Sequence, residues 1–136
     1  DKLMTLPVPL VVDHFGGLDA ERGLDQPGFA ALRRLIASGR AYVKLSAAYR
    51  SSSQPGAADL APFARALLSD NPERCVWGTD WPHPGGAKRT GPSRDAIEPF
   101  QRIDDGAALN RLASWCGNAA ALKRVLVDNP ARLYDF

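Results

Sequence analysis

Six polar side chains in this 136-residue chain have types and spacings that could do chemistry. They are Asp80 and His83 in CVWGTDWPHP, His14 in VVDHFGG, and Ser46, Tyr49 and Arg50 in YVKLSAAYR. All stand where an apolar run stops. Asp80 there is either a base that takes a proton from water or a carboxylate that caps a turn. His14 is either a hydrogen-bonded, partly buried histidine or a ligand. Arg50 is either a solvated loop cation or a clamp whose planar fork matches a carboxylate. His83, set between Pro82 and Pro84, either supports a site or stiffens a loop. Asp13 should point away from any such site, because neighbouring residues on a strand alternate faces.

The apolar runs that must position these groups are PVPLVVD at 7–13, AYVKLSA at 41–47 and RCVWGTD at 74–80. Their β-branched and aromatic content predicts buried strands. Between the first two, Phe29, Leu32, Leu35 and Ile36 share one helical face within 26–38, with Pro27 near the start and Gly39 past the end. Between the second and third, Leu60, Phe63, Ala64, Leu67 and Leu68 repeat at helical spacing, and the pattern stops before Pro72. Strand alternating with helix predicts an α/β fold with parallel strands and right-handed crossovers. Val11 to Val43 spans 32 positions and Val43 to Val76 spans 33, against about 31 per unit in an eight-unit TIM barrel. An open doubly wound sheet has a similar period, but no GxGxxG follows the first strand. In either architecture the site lies at the carboxyl ends of the strands, where all six residues sit.

The segment after His83, PGGAKRTGPSRDAIEP, is a long connection carrying Lys88, Arg89 and Arg94, either a basic flank of the pocket or solvated charge. Beyond it, Leu109, Leu112, Ala113 and Cys116 predict a helix ending at Gly117. Leu122, Val125 and Leu126 predict another after an Asn118 cap, and DNPARLYDF a terminal helical turn.

A hydrophobic content of 45% with 24% charged residues predicts one folded domain over 1–136. The net charge of +2 comes from scattered Lys and Arg, which argues against nucleic acid or a membrane surface as partner and leaves small anions open. Cys75 and Cys116 have neither CxxC spacing nor histidine partners, so free thiols in a reducing cytoplasm are expected rather than a disulfide or a structural zinc site. The N-terminal stretch lacks the pattern of a signal peptide or a membrane span. It opens almost directly on a strand without Met, from which truncation is expected.

In this order and spacing, VVDHFGG, YVKLSAAYR, CVWGTDWPHP and DNPARLYDF resemble the C-terminal part of the amidohydrolase superfamily, in the branch of lactone hydrolases like those acting on 2-pyrone-4,6-dicarboxylate. The resemblance covers essentially the whole chain. It implies strands 6 to 8 of a TIM (β/α)8 barrel, with the His-x-His of the first strand absent. It also implies Asp80 as the base that activates water and His14 as the group that polarises the substrate carbonyl, or ligates a metal together with Asp80 in members that hold one. Arg50 would clamp a substrate carboxylate, with Ser46, Tyr49 and His83 lining the pocket. For Asp80 to act as a base, desolvation by Trp81 and the apolar strand should raise its pKa.

The implied activity is hydrolysis of a carboxylate-bearing lactone, requiring no cofactor or else one divalent metal such as zinc. The implied partners are a small anionic lactone, the missing N-terminal barrel half and, through the sheet edges, further copies in a homo-oligomer. Alternatives are a sugar lactonase or decarboxylase of the same superfamily, and a non-catalytic structural or dimer-forming piece. Alone, the chain is expected to be an inactive fragment.

Overall fold

The computed structural model describes residues 2–84 and 99–136, so Lys88, Arg89 and Arg94 lie outside the described residues. Among these residues three strands form one parallel sheet in the order β1-β2-β3, with β1 at Leu10–Val12, β2 at Ala41–Lys44 and β3 at Cys75–Val76. Leu10 is in register with Ala41, and Val43 with Cys75. The strands are shorter than their apolar runs. Pro7 and Pro9 have no N–H to give to a ladder, and each chain segment turns away at its polar end.

Helix α1, Phe29–Ala37, crosses from β1 to β2, and α3, Ala61–Asp70, from β2 to β3. Between β2 and α3 lies a single turn the periodicity gave no sign of, α2 at Ala48–Ser51. Helix α1 starts three residues later than its pattern suggests. Gln26 is held in the preceding loop, where its Nε2 donates to the carbonyls of Asp19 and Gly23, and Gly28 at φ 93° then turns the chain into the helix. Arg33 of α1 forms a two-pronged pair with Asp70 of α3, at 2.7 and 2.8 Å.

Beyond the undescribed segment, α4 runs Asp105–Cys116, α5 Ala119–Lys123 and α6 Asn129–Tyr134. Asp104 caps α4 by accepting from the Ala107 N–H, and Asn118 caps α5 by accepting from the Ala121 N–H. Gly117 ends α4 at φ 75°, where a glycine has no Cβ to strain.

The two faces of the sheet differ. Leu10, Val12, Ala41, Val43, Leu45, Cys75 and Trp77 join the core with Phe15, Ile36, Phe63, Leu67 and Leu112 from the loops and helices. Phe29 meets Phe63, and Phe15 meets Trp115, edge to face at 5.0 and 5.6 Å. Each fully buried large side chain contributes about 1.5–3 kcal/mol, so this face carries most of the stability. Val11 pairs with Tyr42 and Lys44 with Val76 on the opposite face. That face is held by polar contacts. Lys44 Nζ sits 2.6 Å from Asp13 Oδ1, and the Arg74 guanidinium lies over the Tyr42 ring while its Nη1 donates to the phenol oxygen.

Candidate active site

Beyond each strand the backbone enters the left-handed region at a residue other than glycine: His14 at φ 49°, Ala47 at φ 50° and Asp80 at φ 68°. Such residues cost about 1–3 kcal/mol each and persist where surrounding structure holds them. The holding contacts are visible. After His14, Phe15 at φ 54° is fully buried against Trp115, and the Gly16 N–H donates to the Asp13 carbonyl at 2.8 Å. After Ala47, the Arg50 N–H donates to the Ala47 carbonyl at 2.9 Å and starts α2. After Asp80, the His83 N–H donates to the Asp80 carbonyl at 2.7 Å. The sharp reversals turn three strand ends toward one place.

There the side chains of His14, Ser46, Tyr49, Arg50 and Asp80 meet. Asp80 Oδ2 accepts from the Tyr49 hydroxyl at 2.6 Å and from Arg50 Nε at 3.1 Å. Asp80 Oδ1 faces His14 Nε2 at 3.6 Å, just beyond hydrogen-bond reach. On the other side of the imidazole, Nδ1 lies 3.0 Å from Ser46 Oγ. Ser46 and Tyr49, expected to contact substrate, are therefore engaged with His14 and Asp80 themselves. The Arg50 guanidinium also lies 5.4 Å from the centre of the Tyr49 ring.

His83 takes a different position. It is buried, its Nε2 is 3.2 Å from Asp105 Oδ1 at the start of α4, and its ring meets Tyr49 edge-on at 6.2 Å. Its carbonyl accepts from the Gln101 N–H at 2.8 Å. Thus His83 ties the β3 loop to α4 and backs Tyr49. Asp105 had no signal in the sequence beyond being acidic in a first helical turn. Asp13 is outside the group, paired with Lys44.

The charge state of Asp80 departs from expectation. Burial pushes its pKa up, but hydrogen bonds from Tyr49 and Arg50, with the charges of His14 and Arg50, outweigh it and hold the carboxyl below its ordinary 3.8. Trp81 supplies little desolvation, being 76% exposed. Conversely, burial and the bond to Asp80 push the Tyr49 phenol up to about 12. Asp80 is thus ionised at neutral pH, free to accept a proton but a weaker base than a desolvated carboxylate would be, and Tyr49 is a committed donor.

A cleft of about 410 Å³ adjoins this group through Ser46, Tyr49 and Thr79, and continues to Trp77, Arg102 and Arg111. Neither His14, Arg50 nor Asp80 lines it. The acceptor and its histidine lie beside the cleft rather than in it.

As metal donors, His14 and Asp80 fall short of a site. No group of three or more His, Cys, Asp or Glu residues gathers among the described residues, and Asp80 Oδ2 is already taken by two donors. A tightly held ion would need ligands from elsewhere. Among the described residues no helix is long and apolar enough to cross a membrane.

Comparison with known proteins fits this geometry. The chain is 36% identical over 135 residues to 4-sulfomuconolactone hydrolase of Hydrogenophaga intermedia, covering 98% of this chain and 41% of that protein. It is 32% identical to a 2-pyrone-4,6-dicarboxylate hydrolase of Comamonas testosteroni and 35% identical to D-galactarolactone isomerase of Agrobacterium fabrum, covering 43% and 39% of them. The chain thus spans less than half the length of these curated relatives. A crystal structure of an Agrobacterium tumefaciens protein in its apo form superposes with a TM-score of 0.72 at 32% identity, over 99% of this chain and 44% of that one. The three parallel β/α units are part of a TIM barrel. Residues 3–136 match the amidohydrolase family profile, and the chain belongs to that family.

Proposed function

We propose that the protein carrying this chain hydrolyses a carboxylate-bearing lactone such as 2-pyrone-4,6-dicarboxylate, with Asp80 accepting the proton of the attacking water. The carrying observation is the pairing of Asp80 Oδ1 with His14 Nε2 across 3.6 Å, beside the Arg50 cation. Water loses its proton to Asp80 as its oxygen bonds to the lactone carbonyl carbon. The carbonyl electron pair moves to oxygen, and collapse breaks the ring C–O bond while Asp80 returns the proton to the leaving oxygen. His14 polarises the carbonyl when its proton is on Nε2, which requires the Ser46 hydroxyl to donate to Nδ1. Arg50 spends Nε on Asp80 and presents its terminal nitrogens to a substrate carboxylate. The relatives that act on anionic lactones support this substrate class.

Asp80→Asn in the full-length protein tests the role. Loss of a general base lowers kcat by about 10²- to 10⁴-fold. Turnover within a few-fold of the parent would refute it.

A second reading, action on a sugar lactone, draws on the galactarolactone isomerase relative. A galactarolactone keeps one free carboxylate, so this reading differs in the hydroxylated ring rather than in the charge to be clamped. A cytoplasmic location belongs to the same proposal. Cys75 and Cys116 are free thiols, and burial raises that of Cys75 to about 12, so it is inert rather than reactive.

A further inference from the structure

The geometry points to Tyr49 as a positioning residue that decides which oxygen of Asp80 receives the proton. This rests on Asp80 being the base. A carboxylate has two oxygens, each with about two lone-pair directions. On Asp80 both directions of Oδ2 are occupied, by the Tyr49 hydroxyl at 2.6 Å and Arg50 Nε at 3.1 Å. Oδ1 has His14 Nε2 at 3.6 Å, too far for a hydrogen bond. The open lone pair is therefore on Oδ1, on the side where the polarising histidine stands.

Two donors fix Oδ2, but they are not equivalent. Arg50 makes the longer of the two bonds and, in the proposed function, has a second task, the substrate carboxylate. Tyr49 has one proton, and a short bond to an ionised acceptor is where that proton is held most strongly. The ring is itself fixed, edge-on to buried His83, which is paired with Asp105. A second acceptor for the hydroxyl, the Pro84 carbonyl, lies 3.1 Å away. When Asp80 has taken the water proton on Oδ1 and Oδ2 becomes a weaker acceptor, the hydroxyl still has a partner. The tether can slacken and re-form in each turnover without breaking the site. The titratable and charged groups facing Asp80 are His14 from the β1 end and Arg50 from α2, with the His83–Asp105 pair behind Tyr49.

Tyr49→Phe keeps the ring and removes the tether. With 2-pyrone-4,6-dicarboxylate, kcat should fall about 10- to 100-fold, the range for losing one hydrogen bond to a charged group, with KM within about two-fold. In an Asp80→Asn background the same change should have no further effect, because Tyr49 acts through Asp80. Restoring the hydroxyl with site-specific 3-fluorotyrosine should return kcat to within a few-fold of the parent. A rise in KM at unchanged kcat, or a full additional loss in the Asp80→Asn background, would make Tyr49 a substrate contact and overturn the inference. A crystal structure of the Tyr49→Phe variant supplies a readout independent of turnover: the Asp80 carboxylate should be rotated, and an unmoved carboxylate counts against the tether. If Asp80→Asn itself keeps activity, the base assignment fails first. If it abolishes activity while Tyr49→Phe shifts KM alone, the base stands and the Tyr49 assignment fails by itself.

Discussion

At the scale of single residues, Asp80 is governed by its neighbours more than by its burial. Tyr49 and Arg50 hold its pKa down, so the unfolded chain binds that proton more readily than the folded one. The stability gained from Asp80 is full above its ordinary value near 3.8 and is lost as pH falls through the lower, folded value. Arg50→Gln removes one hydrogen bond and one positive charge from the carboxylate. Melting temperature followed between about pH 2 and 5 should then start lower and fall less than in the parent, its acid loss ending at a higher pH because the folded value has moved up toward the ordinary one; an unchanged profile counts against control by Arg50. The same variant tests the carboxylate clamp. KM for a dicarboxylate lactone should rise about 10- to 100-fold while KM for an uncharged lactone stays level. The sequence made Asp80, His14 and Arg50 visible as types at strand ends. It could not show that Arg50 and Tyr49 converge on one carboxylate oxygen, because that contact joins positions about thirty residues apart and depends on the turn at α2.

At the scale of elements, the strand-and-helix alternation was legible because apolar spacing alone generates it. Leu35, Ile36, Phe63 and Leu67 are buried as their helical spacing demands. The reversals beyond the strands were not legible. Ala47 adopts φ 50° with no side-chain feature to announce it, and His14 and Phe15 do so in succession. Glycines in the first reversal offer a test. Gly16 and Gly17 both have positive φ, 73° and 69°, but a Cβ on Gly16 would lie 2.9 Å from Leu32 Cδ2, while one on Gly17 would meet nothing within 4 Å. Gly17→Ala should cost only the left-handed strain, about 1–2 kcal/mol. Gly16→Ala should cost that amount plus the displacement of Leu32 from the α1–sheet contact. Urea unfolding of the two variants checks the order, and equal midpoints would show that Leu32 yields freely.

At the scale of the whole molecule, the described sheet has one finished face and one unfinished one. Helices cover the face of Val12, Val43 and Leu45, whereas on the other face Tyr42 and Val76 are buried but Val11, at the β1 end, is exposed at 37% beside the Lys44–Asp13 and Arg74–Tyr42 contacts. In the order β1-β2-β3 both outer strands lack a second strand neighbour among the described residues. The outer side of β3 is nevertheless covered, since Cys75 and Val76 are buried and the Cys75 carbonyl accepts from the buried Asn129 amide at 2.7 Å. The open edge is that of β1. A closed barrel has no such edge. Expressed by itself, the 136-residue chain should therefore associate through β1. Two copies of the same edge pair about a two-fold axis, so the contact closes as a dimer. Light scattering should show mass rising with concentration and levelling at the dimer. Val11→Lys, which places a charge on the open face of the edge strand, should suppress that rise by making strand addition bury a cation. A rise undiminished in this variant would move the contact away from β1, and a concentration-independent monomer would mean that the bare edge is too short to template pairing.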